Sequence, residues 1–231
     1  MSIKSKKQTI NNPCLSWDER LLEEKNCWQS GCQRVAGLDE AGRGPLAGPV
    51  VAAIFVIKPG FNLEGLNDSK KLTPLQRERF YQVLTSGEWE YGVGVVQPEE
   101  IDRINIYQAS RAAMFKALKM LKEPPDFLLV DALMVPETDI QQKAIIHGDA
   151  LSISIAAASV IAKYKRDMMM VELDQQYPGY GFAKHKGYPT KEHYNALEKL
   201  GPSPIHRRSF RLTKFKVAES INLFEKEGME L

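Results

Sequence analysis

Apolar residues fall along this chain in two patterns, short continuous runs and helix-spaced stripes, and their alternation predicts an α/β fold. Residues Val35 to Leu38 read as the end of a buried strand, and Val50 to Ile57 (VVAAIFVI) as a second strand rich in β-branched residues. Trp89 to Val96 gives a third. Phe127 to Ala132 (FLLVDA) is continuously apolar, as in strands buried on both faces of a sheet, and Lys143 to Asp149 (KAIIHGD) repeats that design. Among the helices, Thr73 caps one opened by Pro74 and running to about Thr85. Pro98 to Arg103 reads as one or two helical turns. Residues 106–122 then carry Ala109, Ala113, Ala117 and Leu121 at helical spacing until Pro124 and Pro125 end the run. A long helix is expected over 152–176, a loop over 179–189, a capped helix over 190–200 and an amphipathic helix over 215–227. Three strands in a meander, then helix, strand, helix and strand, imply a mixed five-stranded sheet flanked by helices, antiparallel first and parallel later. Residues 1–33 are polar, can form a helix over 17–26, and stand as an extension ahead of a main domain at 34–212, with a C-terminal helix at 213–231.

Composition narrows the class. At 231 residues and 43% hydrophobic the chain can bury the core of one domain. A net charge of +2 does not by itself announce a nucleic-acid binder, but between Lys184 and Lys216 nine Lys or Arg face two Glu. Cys14, Cys27 and Cys32 show no metal or disulfide spacing, which suits a reducing cytoplasm. The basic start has no apolar stretch behind it, and the longest apolar run, Leu46 to Ile57, is interrupted by Pro49, so neither export nor a membrane span is expected.

The chemistry concentrates in DEAGRGPLAGPV, Asp39 to Val50. An adjacent acid pair alone usually marks a solvated loop. Here it runs into Gly42 and Gly44, which admit backbone dihedrals closed to other residues, and Arg43, whose fork of donors suits phosphate. Asp131 and Asp149 fall at or just past the ends of other apolar runs, where ligands of such sheets gather. Four converging carboxylates would repel one another unless cations neutralise them, and an all-oxygen set suits Mg²⁺ or Mn²⁺. Two such ions about 4 Å apart imply phosphodiester hydrolysis. Neighbouring strand residues point to opposite faces, so the chain must bend for Asp39 and Glu40 to share a site. His147 is either a further ligand or a plain strand residue.

Six ordered blocks closely resemble bacterial ribonuclease HII: DEAGRGPLAGPV, GLNDSKKL, LLVDA, GDALSISIAAASVIAKYKRD, YGFAKHKGYPT and IHRRSF. The resemblance implies a ribonuclease H-like fold and endonucleolytic cleavage of RNA paired to DNA, including single ribonucleotides embedded in DNA, leaving 5′-phosphate and 3′-hydroxyl ends. By motif, Asp39, Glu40, Asp131 and Asp149 are similar to the family's catalytic metal-binding acids. Gly42, Arg43 and Gly44 are similar to its turn that contacts the ribonucleotide 2′-hydroxyl, and Tyr188 to the tyrosine that stacks on the sugar at the RNA–DNA junction. Lys70, Lys71, Ser159, Lys163, His206, Arg207 and Arg208 are candidate phosphate contacts, the bland alternative for each being a solvated or packing residue. A monomer acting on hybrid duplexes is expected. The terminal INLFEKEGMEL, a phenylalanine flanked by Leu and charged residues, leaves a sliding clamp open as a partner without supporting one, and packing on the domain is its default reading. Two rival readings are a non-catalytic hybrid binder, against which the acids argue, and a DNA-processing enzyme of the same fold, against which Tyr188 and the glycine turn argue.

Overall fold

A computed structural model describes residues 15–210. The helix expected over 215–227, Cys14 and the basic start lie outside the described residues. The elements in order are α1 (Trp17–Arg20), α2 (Leu22–Gln29), β1 (Val35–Ala41), β2 (Val50–Ile57), α3 (Pro74–Leu84), β3 (Tyr91–Val96), α4 (Pro98–Leu118), β4 (Phe127–Asp131), β5 (Gln141–Ile145), α5 (Gly148–Leu151), α6 (Ile153–Gln176), α7 (Phe182–His185) and α8 (Lys191–Leu200).

The strands form one sheet in the order β3-β2-β1-β4-β5, antiparallel from β3 through β1 and parallel from β1 through β5. Residue alternation along β1 sorts the core into two layers. Val35, with Phe55, Ile57 and Leu129, packs under α6, while Ala36 and Leu38, with Ile54 and Val130, pack under α4. Gly37 is where α6 comes closest: a Cβ there would lie 2.1 Å from the Ser154 carbonyl carbon. That contact explains the small residues at the start of α6, every one of which from Ile153 to Ala162 is buried. A third cluster, built on Leu46, Ala47, Phe182 and Leu197, joins α7 and α8 to the β1–β2 connection.

The capping residues behave as the sequence implies. Thr73, Ser152 and Thr190 each accept a hydrogen bond from the amide three residues on. Asn105, at φ 67°, separates the short and long helical stretches merged in α4. Three expectations are corrected. β1 does not end at Leu38, since its ladder with β2 runs in register to Ala41↔Val51. β5 is a largely exposed edge strand that stops at Ile145, not a buried run to Asp149. His147 is therefore no strand residue: it takes a left-handed turn (φ 58°), exposed, and Asp149 sits on the single-turn α5. The residues set apart as an extension also join the core. Glu24 is fully buried, accepting from the Ser152 and Ser154 hydroxyls and the Ser154 amide.

Candidate active site

β1 is the middle strand, and its C-terminal end opens on a cleft of about 300 Å³ lined by Asp39, Glu40, Gly42, Arg43, Gly44, Ser69, Lys70, Asp131, Ser159, Lys163 and Tyr188. No bend separates Asp39 from Glu40. Asp39 continues the Val35 face toward α6 and Glu40 the opposite face, yet both line the cleft because β4 stops pairing with β1 at Leu38↔Val130. Past that point the strand end has no neighbour on one side. Asp131 closes β4, and its Oδ1 accepts from the Gly148 amide at 2.8 Å, tying it to the turn that carries Asp149. Asp149 is buried, and its Oδ2 accepts from Lys70 Nζ at 3.1 Å.

The acids are electrostatically strained. Burial, then the Glu40 and Asp131 carboxylates, hold the Asp39 carboxyl well above the usual range, against a lowering hydrogen bond from Ser159. Glu40 is pushed up to about 7 by burial, with Arg43, 3.4 Å from its Oε1, pulling down and Asp131 pushing up. Asp131 is raised by burial and by Asp149, against the Gly148 amide. Burial disfavours the Lys70 ammonium, but the hydrogen bond to Asp149 and the surrounding carboxylates outweigh it, so its pKa rises. Glu40 Oε2 is buried with no hydrogen-bond partner. Among the described residues no three His, Cys, Asp or Glu side chains stand, as placed, close enough to hold an ion.

Around the acids, the glycine turn divides into two cases. Gly42 needs its left-handed backbone (φ 100°), and a Cβ would lie 2.1 Å from Arg166 Nε. Gly44 does not: its backbone is ordinary and a Cβ would meet only Tyr188 Cε1, at 3.8 Å. The half-exposed Tyr188 ring lies over Lys163 and Arg166, each 5.9 Å from its centroid. Lys163 also pairs with Asp167 at 2.6 Å, as its helix spacing implies.

The basic candidates separate as sharply. Lys70 reaches the acids, Lys71 and Arg208 are exposed, and Ser159 is buried beneath Asp39, 2.9 Å from Ser69 Oγ. His206 and Arg207 are corrected. His206 is 2% exposed and bonded to His193 Nε2 at 2.9 Å and to Ser203, and Arg207 is fully buried with its guanidinium on the carbonyls of Gly42, Arg43 and Gly48. Neither side chain is open to a phosphate as it stands. Arg166, placed on the long helix by the sequence, and Ser69 carried no site role there. Ser159, Lys163 and Arg166 are spaced i, i+4, i+7 on α6, a stripe that points Arg166 the same way as the two candidates before it.

A family model described as Ribonuclease HII matches residues 36–213. The ribonuclease HII of Desulfitobacterium hafniense (strain Y51) is 58% identical over 190 residues, 82% of this chain and 73% of that protein. The crystal structure of ribonuclease H2 from Pyrococcus horikoshii OT3 aligns with TM-score 0.65 and 31% identity, covering 85% of this chain and 100% of that one. Bst-RNase HIII, crystallised in complex with Mn²⁺, shares the fold at TM-score 0.61 and 17% identity, over 81% of this chain and 70% of its own. A match spanning the sheet, the four acids and the tyrosine loop, together with relatives of this identity, shows that the chain belongs to the ribonuclease HII family.

Proposed function

We propose that this chain, a metal-dependent endoribonuclease of the ribonuclease H type acting on RNA–DNA hybrids, also cuts DNA duplexes on the 5′ side of a single embedded ribonucleotide, using Asp39, Glu40, Asp131 and Asp149 to hold two divalent cations. The observation that carries this is convergence: three of those acids, the Gly42-Arg43-Gly44 turn and Tyr188 line one cleft, with Asp149 joined to it through Lys70.

The donor chemistry fits the ions, although the side chains as they stand must draw together to hold one. The donor set is all carboxylate oxygen, three of its members have raised pKa values that a cation would relieve, and Glu40 Oε2 is buried without a partner. Ligation asks Asp149 to exchange the Lys70 ammonium for an ion. Bound Mg²⁺ or Mn²⁺ would activate water on one side of the phosphodiester and stabilise the leaving oxygen on the other. The chain's own groups do the rest. Gly44, without a side chain, lets a ribose approach the backbone; Tyr188 offers a ring face for the adjoining sugar; Lys70, Lys163, Lys71 and Arg208 offer positive charge to the backbone of the duplex. Such contacts position a duplex without reading bases, which suits removal of misplaced ribonucleotides and RNA primers at any sequence.

An end-labelled DNA duplex carrying one ribonucleotide tests the reading. The wild-type protein with Mn²⁺ or Mg²⁺ should yield a single cut 5′ of the ribonucleotide with a 3′-hydroxyl end, and Asp39→Asn should lower the rate at least a thousandfold with its circular dichroism unchanged. Cleavage of the matching all-DNA duplex, or full activity in Asp39→Asn, would sink it.

A further inference from the structure

The turn that faces the cleft rests on two arginines. Arg207 donates to the carbonyls of Gly42 (2.6 Å), Arg43 (3.1 Å) and Gly48 (2.8 and 2.9 Å). Arg166 donates to those of Pro49 (2.9 Å), Lys186 (3.0 Å) and Ala47 (3.2 Å). Both are 0% exposed, and among the described residues neither makes an ion pair, since Asp167 beside Arg166 is held by Lys163 and Arg77. A buried guanidinium without a carboxylate is expensive, and burial depresses both pKa values, Arg207 to about 9. Seven donations to backbone oxygens are what compensate these charges.

The consequence lies on the other side of the peptide planes. In a trans peptide the carbonyl of one residue and the amide of the next point in opposite directions. Holding the Gly42 and Arg43 carbonyls inward therefore turns the Arg43 and Gly44 amides outward, on a segment that lines the cleft. Neither amide donates to an acceptor among the described residues. Two adjacent free donors beside a side-chain-free Gly44 make a preformed cradle for oxygen atoms.

We infer that Arg207, seconded by Arg166, is a positioning residue for substrate discrimination: its grip on the Gly42 and Arg43 carbonyls presents the Arg43 and Gly44 amides to the oxygens of a ribonucleotide. The two arginines touch no substrate themselves. This inference rests on the reading that residues 42–44 meet the ribonucleotide, and the experiment keeps the two apart. Arg207→Lys retains the charge but not the fork that spans three carbonyls. In an Asp39→Asn background that does not cut, fluorescence anisotropy compares a duplex with one ribonucleotide against the all-DNA duplex. The parent should prefer the ribonucleotide duplex; Arg207→Lys should lose at least fivefold of that preference while its affinity for all-DNA duplex stays within twofold. A purely structural role would weaken both duplexes together. That result, or a folded Arg207→Lys with the parent's preference, overturns the inference. A parent with no preference overturns the reading of residues 42–44 first and this inference with it. Should Arg207→Lys fail to fold, Arg166→Lys, which loosens the same turn from its Ala47 and Pro49 end, carries the same expectation.

Discussion

Gly42 and Gly44 stand two residues apart and differ in what requires them. At Gly42 any side chain would be strained by the left-handed backbone already there and would collide with Arg166 Nε, so Gly42→Ala should cost about 2 kcal/mol or more and lower activity through the fold. At Gly44 the backbone is ordinary and space is open toward the cleft, so Gly44→Ala should melt within about 1 °C of wild type yet lose most of its cleavage. Equal destabilisation by both would refute the distinction. The histidines offer a second test at this scale. His193 donates from Nδ1 to the Tyr188 carbonyl, and its Nε2 then accepts from His206 Nε2, whose Nδ1 accepts from the Ser203 amide, so both rings are neutral. Burial lowers each pKa from 6.5 to about 4. Between those values the unfolded chain binds the protons that the fold refuses, so this contribution to stability is full above pH 6.5 and is lost as pH falls toward 4, by about 2 kcal/mol per ring at pH 5. The stability gap between wild type and His206→Gln, measured by urea unfolding, should therefore narrow from pH 7 to pH 5; a constant gap would show that the pair does not titrate in this way.

Elements show where local sequence was readable and where it was not. Caps, a proline start and unbroken β-branched runs are signals contained within a few residues, and they placed α3, α6, α8, β2 and β4 closely. β5 misled because its residues are mostly exposed and polar while the apolar Ile145 and Ile146 fall at and past its end, and α5, one turn long, leaves no periodic signal at all. Buried polar side chains misled for another reason: Arg207 and His206 are satisfied by partners distant in sequence or hidden by a turn, so IHRRSF reads as surface. The same holds for α1. Arg20 donates to the carbonyls of Leu66 at 2.6 Å, Ala150 at 3.1 Å and Asp149 at 3.3 Å, bridging the turns that carry Lys70 and Asp149. Arg20→Met should thus destabilise by about 1–3 kcal/mol, the cost of leaving such acceptors unpaired, and should lower kcat in the folded fraction because Asp149 loses its support. An unchanged kcat would confine this helix to stability.

For the whole molecule, the decisive fact is that the sheet gathers like charges at one end of its middle strand. Strand ends revealed that Asp39 and Asp131 would meet, because parallel neighbours bring their C-terminal ends together, and the structure agrees. The cost of that gathering could not be read from sequence, since it depends on burial: three carboxyls are held above their usual range with one ammonium, Lys70, bound among them. A domain carrying that strain should be stabilised by any divalent cation that the site accepts. At a hundredfold excess over Kd, binding to the folded state alone adds about 2.7 kcal/mol. In a chain of this size that is a rise of about 5–10 °C in Tm on adding Mn²⁺ or Mg²⁺ to chelator-treated protein. Because the ligands must ionise and Glu40 does so near pH 7, the rise should be larger at pH 8 than at pH 6. Asp39→Asn should largely abolish it while melting no lower than wild type in chelator, having lost one member of the repelling set. An equal rise in Asp39→Asn and wild type would place the bound ion elsewhere, and no rise in either would mean that these carboxylates do not hold one without nucleic acid.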